Sequence, residues 1–267
     1  MSYRLFNIEP IGVGTPYVES LQSYIKRLAE AHSVFPGTLM EQEIYPEIFY
    51  YGYREHVLNY YNKNPRGPEY INEIVRVLEN KTGNCNIKNL SLLKLGTKIY
   101  SKFTFRKYAA WCPLCYEESK LNGVIYEPLI WAIEDISVCA KHNVKLNFRC
   151  PNCNYTSRFY GREERIGYCT YCKTWLGSGH TEKINDFSIL VHDQISKIIS
   201  LLPSFDNVNK FDTPSAWNKD ANAFEICSNM WEINSALACL KKIKELITLD
   251  EERRTGKPTA DMFYRPE

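Results

Sequence analysis

The chain has 267 residues, 44% of them apolar, and a formal net charge of +2 at pH 7. This length predicts two domains, or one domain with a smaller satellite, and the near-neutral charge excludes a polycation. No apolar run approaches the ~20 residues of a membrane span. The opening residues, Met1 to Arg4, do not resemble a signal peptide, so we expect a soluble intracellular protein.

The N-terminal part has the pattern of short amphipathic helices. From Glu19 onward, apolar residues recur at helical spacing. A second amphipathic helix is predicted from Glu69 to Asn80 and a third from Ile87 to Leu93, with a turn around Gly83 between them. Two helices joined by a short glycine-containing turn are typical of a helix-turn-helix. We therefore predict a helix-turn-helix-like domain over residues 1–108.

The middle of the chain contains four pairs of metal-binding side chains, and two residues separate the members of each pair. The pairs are Cys112 and Cys115, Cys139 and His142, Cys150 and Cys153, and Cys169 and Cys172. Seven thiolates and one imidazole suffice for two closed tetrahedral zinc sites. Disulfides suit a reduced cytosol poorly, and iron–sulfur motifs usually place three cysteines close together. We predict two structural Zn2+ ions in a tandem zinc-finger domain over 109–179.

Two pairings of these ligands are compatible with the spacing. Sequential pairing gives one centre with three thiolates and an imidazole and another with four thiolates, and each half has its own return loop. A cross-brace, as in RING or PHD modules, would interleave the pairs. We favour sequential pairing. In either case protein ligands fill both centres, whereas a catalytic zinc keeps a water ligand, and each ion is expected to contribute roughly 10 kcal/mol or more to folding.

The zinc region is locally basic, although the whole chain is not. Between Cys139 and Gly179 there are seven basic residues and only two acidic ones, Glu163 and Glu164. The basic residues are Lys141, Lys145, Arg149, Arg158, Arg162, Arg165 and Lys173. They are candidate contacts to DNA phosphates. The alternative, to which we give equal weight, is a solvated face around a metal knuckle.

The C-terminal part is predicted to be helical. Gly177 to Gly179 marks a boundary, and helices are predicted from Phe187 to Leu202 and from Ser228 to Leu249. We therefore predict a helical domain over 180–249 and a flexible tail over 250–267. The predicted fold class is mainly α, with small zinc-ribbon or knuckle β elements.

The sequence contains no catalytic motif that we recognise. H-E-x-x-H, the P-loop, G-x-S-x-G and G-x-G-x-x-G are all absent. The histidines outside the zinc region stand alone, and no acidic arrangement resembles the metal-binding triad of a nuclease. We expect a binding module and not an enzyme.

Two stretches resemble a known protein family. The first stretch is Glu19 to Tyr24, followed by Arg27, Leu28 and Ala29. The second stretch is Trp111 to Cys115, followed by Trp131, Cys139, His142, Cys150 and Cys153. The first resembles the signature E-S-L-x-S-x-x-x-R-L-A of the TniQ/TnsD transposition proteins, and the second resembles their zinc region. The resemblance covers about residues 10–178. The chain departs from the family at three places. Ala140 stands where Pro is frequent, and Asn143 stands where Gly is frequent. Family members often have a basic residue shortly before the Trp, and here none precedes Trp131.

The resemblance implies a cytoplasmic bacterial protein that selects transposition targets without catalysis. Members bind a AAA+ ATPase regulator assembled on DNA. In CRISPR-associated transposons they link this regulator, and through it the transposase, to an RNA-guided effector. Only about 90 residues follow the zinc region, so the chain resembles the shorter TniQ type.

Two other functions are compatible with parts of the sequence. A sequence-specific zinc/helix-turn-helix transcription regulator would bind a short DNA motif without an ATPase. A RING-type ubiquitin ligase would need cross-braced zinc ions, and the seven residues between His142 and Cys150 argue against it.

Overall fold

The computed structural model describes residues 4–48, 67–157, 162–184, 186–205 and 223–255. Most of the regular structure is helical, which confirms the predicted fold class. The α-helices are α1 (Leu21–Ala31), α2 (Pro36–Leu39), α3 (Tyr45–Ile48), α4 (Pro68–Thr82), α5 (Thr97–Tyr100), α6 (Pro113–Leu121), α7 (Asp186–Ser200) and α8 (Ala223–Thr255). A π-helical turn, Met40–Ile44, connects α2 with α3. No described helix is long and apolar enough to cross a membrane.

Helix α1 forms where the apolar pattern predicted it. The side chain of Ser20 caps its N-terminus by accepting a hydrogen bond of 3.2 Å from Ser23 N. The apolar residues of one face are buried in the central hydrophobic core. These residues are Leu21, Tyr24, Ile25, Leu28 and Ala29.

The two helices predicted on either side of the turn at Gly83 are only partly correct. Helix α4 has Pro68 in its first turn and ends at Gly83, whose φ of 74° is left-handed and therefore suits glycine. The single helix predicted from Ile87 to Leu93 is wrong. Two 3-10 helices, Ile87–Leu90 and Leu92–Leu95, occupy this stretch because Ser91 is extended between them, with φ of −144° and ψ of 157°.

The β structure is small and lies in the cysteine-rich region. Strands β1 (Val138–Cys139) and β2 (Val144–Lys145) pair antiparallel, with Val138 opposite Lys145. A further 3-10 helix spans Leu129–Ala132. One metal-binding pair lies at this hairpin, because Cys139 ends β1 and His142 lies in the turn that leads to β2.

The segment before α1 hydrogen-bonds to the segment before the Leu129–Ala132 helix. Leu129 N donates to Val18 O at 2.7 Å, and Ser20 N donates to Glu127 O at 2.9 Å. Glu19 also forms an isolated β-bridge with Pro128. These bonds cross the boundary predicted between residues 108 and 109, and the division into domains stays a prediction.

Helices α7 and α8 pack against each other at the C-terminal end. The buried contacts come from Ile195, Ile198 and Ile199 of α7 and from Ile233 and Leu240 of α8. Helix α8 starts before Ser228, which was the predicted start, and continues to Thr255. The first residues of the predicted flexible tail are therefore helical, and residues 256–267 lie outside the described part of the chain.

Candidate metal centres

The first centre brings together the side chains of Cys112, Cys115, Cys139 and His142. Their ligand atoms all lie within 4.8 Å of one another. Cys115 Sγ is 3.6 Å from Cys139 Sγ, and His142 Nδ1 is 3.3–3.5 Å from the three sulfurs. Four ligands around zinc, at about 2.3 Å for sulfur and 2.0–2.1 Å for nitrogen, would lie roughly 3.6–3.8 Å apart. The site therefore fits a tetrahedral ion of this size.

Local structure explains how the first pair of ligands converges. Cys112 has extended backbone angles and occupies the N-cap of α6, and Pro113 starts the helix without needing an amide partner. Cys115 then lies in the first turn of α6, on the side to which Cys112 also points. Because Cys112 and Cys139 are buried and Cys115 is only partly exposed, solvent has little access to the centre.

A carboxylate outside the ligand set orients the histidine. Glu118 lies one helical turn after Cys115 on α6, and its Oε1 is 2.8 Å from His142 Nε2. The other carboxylate oxygen contacts the ammonium group of Lys141. A carboxylate that accepts the second ring N–H of a metal-binding histidine fixes the tautomer and the ring orientation. We did not predict Glu118 from the sequence, although its spacing of three residues from Cys115 was a usable signal.

The second centre brings together Cys150, Cys153, Cys169 and Cys172. The Sγ atoms of Cys150 and Cys172 are 3.6 Å apart, and so are those of Cys153 and Cys169. All four sulfurs lie within 4.8 Å of one another, close to the roughly 3.8 Å edge of a zinc–thiolate tetrahedron. This donor set also fits one metal ion.

The ligands are grouped sequentially in both centres. The first four ligands of the chain form one cluster and the last four form the other. A RING-type cross-brace would interleave them, so the described structure excludes that arrangement and the ubiquitin-ligase hypothesis that depended on it. The predicted sequential pairing is the one that the structure displays.

Three of the four ligand pairs are followed by a residue with left-handed backbone. Asn143, Asn154 and Lys173 have φ values of 53°, 60° and 59°. Asparagine tolerates this conformation better than most residues. At Asn143, where glycine is frequent in the resembling family, the backbone thus keeps a conformation that glycine also adopts. This sequence departure therefore leaves the metal-binding turn intact.

A buried tryptophan connects the two centres. Trp111, directly before Cys112, exchanges backbone hydrogen bonds of 2.7 and 2.8 Å with Asn147, which lies three residues before Cys150. Its indole Nε1 donates to Leu176 O at 3.2 Å, beyond the last ligand of the second centre. Trp111 thereby links segments on both sides of the metal region.

A buried cluster of charges joins α1 to the metal region. Lys26 Nζ lies 3.0 Å from Glu127 Oε2 and 3.1 Å from Glu164 Oε2, and Tyr116 Oη donates to Glu127 Oε1 at 3.1 Å. Glu164 Oε2 makes no well-aligned hydrogen bond within the described residues, so its contact with Lys26 is mainly electrostatic. Burial by itself lowers the pKa of Lys26, but the two carboxylates outweigh it and the pKa lies above its usual value.

The N-terminal signature residues form a second buried charge cluster. Glu19 has no exposed side-chain surface, and its carboxylate accepts hydrogen bonds from Ser23 Oγ at 2.8 Å and Arg27 at 2.6 Å. Ile11 N also donates to it at 3.3 Å. Burial raises the pKa of Glu19, and the charge of Arg27 opposes that shift. The spacing of Glu19, Ser20 and Arg27 thus secures the start of α1.

The seven predicted DNA-contacting residues have different surroundings. Four of them form exposed ion pairs: Lys141 with Glu118, Lys145 with Glu182, Arg162 with Glu41, and Arg165 with Glu30. Arg158 lies outside the described residues. Arg149 and Lys173 have no carboxylate partner within the described part of the chain. Exposed ion pairs contribute little stability and can exchange partners, so contact between these seven residues and DNA stays a prediction.

The structure thus defines a helical protein built around two Cys/His clusters that could each hold a metal ion. A family model, TniQ, matches residues 10–146, and the chain belongs to the TniQ family. This confirms the family suggested by the sequence and supports a non-catalytic, transposition-associated adaptor role. The match includes every ligand of the first centre and ends before Cys150. No curated protein matches the chain.

Proposed function

We propose that the protein is a transposition target-selection adaptor that binds a AAA+ ATPase regulator on DNA and links it to a targeting module. An RNA-guided CRISPR effector is the targeting module that we favour. The observation that carries this proposal is the TniQ match over residues 10–146. It includes α1, the buried cluster around Glu19, the ion pair of Lys26 with Glu127, and the first centre.

The architecture supports an adaptor because buried contacts join segments that are far apart in the chain. Lys26 connects α1 to Glu127, between the two ligand pairs of the first centre, and to Glu164, between the two ligand pairs of the second centre. An adaptor must hold two partners in a fixed relative orientation, and such buried connections restrict relative motion of the segments. Within the described residues, both Cys/His clusters have a full set of four protein ligands.

We propose that both centres hold Zn2+ in a structural role. The donor sets, three thiolates with one imidazole and four thiolates, are those that zinc prefers in closed sites. We expect elemental analysis to give two zinc ions per chain. Cys112→Ser and Cys150→Ser should each lower the zinc content and unfold the middle of the chain. A content of one ion or none in the unmodified protein would contradict this proposal.

The decisive experiment on function is affinity purification of the tagged chain from its native cell. DNA is added, with or without ATP, and bound proteins are identified by mass spectrometry. We expect ATP-dependent recovery of a AAA+ protein together with a transposase or a CRISPR effector. Recovery of one specific DNA sequence without any ATPase would instead favour a transcription regulator.

A further inference from the structure

The second metal centre carries two exposed tyrosines that stack on each other. Tyr155 is 43% exposed and Tyr171 is 75% exposed. Their ring centroids are 5.7 Å apart and their planes differ by 26°. By contrast, Tyr116 and Trp111 beside the first centre are almost completely buried. Aromatic rings that stay in water as a stacked pair are candidates for binding another flat ring.

The metal-binding turns hold both tyrosines in place. Tyr155 O accepts a hydrogen bond of 2.9 Å from Cys150 N, which closes the first turn of the second centre. Tyr171 lies directly before Cys172, in a turn closed by a 3.0 Å bond from Lys173 N to Cys169 O. Because the backbone is already fixed, these rings lose little conformational freedom when they bind a ligand.

The basic side chains around this pair can attract an anion, although four thiolates around one Zn2+ would carry a net negative charge of their own. The stretches 148–157 and 169–175 contain no aspartate or glutamate. Arg149 directly precedes Cys150 and Lys173 directly follows Cys172, and the Sγ atoms of these two cysteines are 3.6 Å apart. The two cations therefore start from neighbouring backbone segments. Neither has a carboxylate partner among the residues that the structure describes.

The same turns offer groups that can hydrogen-bond to a ligand. Asn152 and Asn154 are exposed next to Cys153, and an amide side chain both donates and accepts hydrogen bonds. Rigid aromatic faces, cations without a carboxylate partner among the described residues, and exposed amides together match the chemistry of nucleotides. A purely apolar protein segment would make no use of the cations.

We propose that the tyrosine face, defined as Tyr155, Tyr171, Arg149 and Lys173, binds single-stranded nucleic acid. An unpaired base stacks on Tyr171, and neighbouring phosphates contact the two cations. Every base has a π-face, so this mode tolerates different sequences. A duplex keeps its bases stacked inside and cannot use the tyrosines. The inference goes beyond the proposed adaptor function, because it requires neither the ATPase nor a targeting module.

Fluorescence anisotropy of labelled oligonucleotides tests this inference on the full, zinc-loaded chain. The probes are oligothymidylate and oligouridylate of about 12 nucleotides, within the usual site size of stacking surfaces, and a duplex of the same length. We expect both single strands to bind more tightly than the duplex. A preference between the two single strands would distinguish DNA from RNA as the source of the ligand.

Variants separate stacking from general charge attraction. Tyr171→Ala should weaken single-strand binding about tenfold or more, since stacking on an aromatic ring is lost, whereas Tyr171→Phe should retain it. Trp231→Ala removes an aromatic ring that is 71% exposed on α8 and should change nothing. Lys173→Ala should reduce the slope of log affinity against log salt by about 0.7.

Three results would overturn the inference. They are equal affinity of Tyr171→Ala and the unmodified protein, tighter binding of the duplex, and no binding of single strands at about 50 mM salt, a concentration at which phosphate contacts are strong. Zinc content and circular dichroism of each variant show whether it is folded. If Tyr171→Ala loses zinc, Tyr155→Ala provides the same comparison through the other ring of the pair.

Discussion

Replacing Lys26 by methionine should strongly destabilise the protein. Methionine keeps most of the apolar stem but removes the ammonium group that lies 3.0 Å from Glu127 and 3.1 Å from Glu164. Two largely buried carboxylates then remain without a counter-ion. Removing one partner of a buried ion pair typically costs about 3–5 kcal/mol. Since whole domains are stable by only about 5–15 kcal/mol, the loss should be large.

Urea unfolding measures this loss. Intrinsic tryptophan fluorescence follows unfolding because Trp111 is buried beside the first centre, and the zinc concentration is kept constant. The matched control is Lys241→Met. This lysine is 81% exposed and lies 3.9 Å from Glu245 on the same helix, so its removal should cost less than about 0.5 kcal/mol.

The pH dependence provides an independent check on the same charges. The folded-state pKa of Lys26 lies above its ordinary value of 10.5, so its stabilisation is complete below about pH 10 and is lost only as the pH rises past the folded-state pKa. The stability deficit of Lys26→Met should therefore stay constant between pH 5 and about pH 10 and should narrow only at higher pH, where the unmodified protein begins to lose this charge.

Two results would refute this reasoning. A loss below about 1 kcal/mol in Lys26→Met would mean that water or a rearranged partner compensates the carboxylates. A deficit that does not narrow above about pH 10 would mean that the variant loses packing and not charge pairing. The double variant Lys26→Met/Glu127→Gln separates these cases, because it removes one of the two uncompensated charges and should recover part of the stability.

Three further predictions concern other contacts. Glu118→Ala should lower the zinc affinity of the first centre about 10- to 100-fold, because His142 loses its orienting carboxylate. Chelator competition measures this affinity, and an unchanged value would argue against the role of Glu118. Ser20→Ala should cost about 1 kcal/mol in urea unfolding, since Ser23 N loses its cap, and Ser20→Asn should restore it. Burial lowers the pKa of His192 below 6.5, so stability should fall as the pH drops below about 6.5, and His192→Gln should flatten that dependence.

Local patterns in the sequence predicted the helices and the ligand sets well. Helix α1 starts at Leu21 and both helices of the C-terminal part exist, because apolar spacing and capping residues are local properties. The sequential grouping of ligands also follows from local spacing. The predicted helix from Ile87 to Leu93 failed because Ser91 adopts an extended conformation that apolar periodicity does not reveal.

Contacts between distant residues were not predictable in this way. Lys26 and Glu127 are 101 positions apart in the chain, and no spacing rule connects them. Likewise, the basic residues of the zinc region looked uniform in the sequence. Only the fold reveals that Lys145 has a nearby carboxylate in Glu182 whereas Arg149 and Lys173 have none among the described residues. Charge counts along a chain therefore overestimate the charge available to a ligand.

The hydrogen bonds between the start of α1 and the segment around Glu127 have a consequence for how the protein responds to metal loss. Ser20 N donates to Glu127 O, and Glu127 N donates to Ser23 Oγ at 2.9 Å. If the first centre holds Zn2+ as proposed, releasing the ion should free the return loop that these bonds hold. The backbone amides of α1 should then exchange with deuterium faster, although none of them belongs to a ligand. The N-terminal helix would thus report the occupancy of a metal centre about a hundred residues further along the chain.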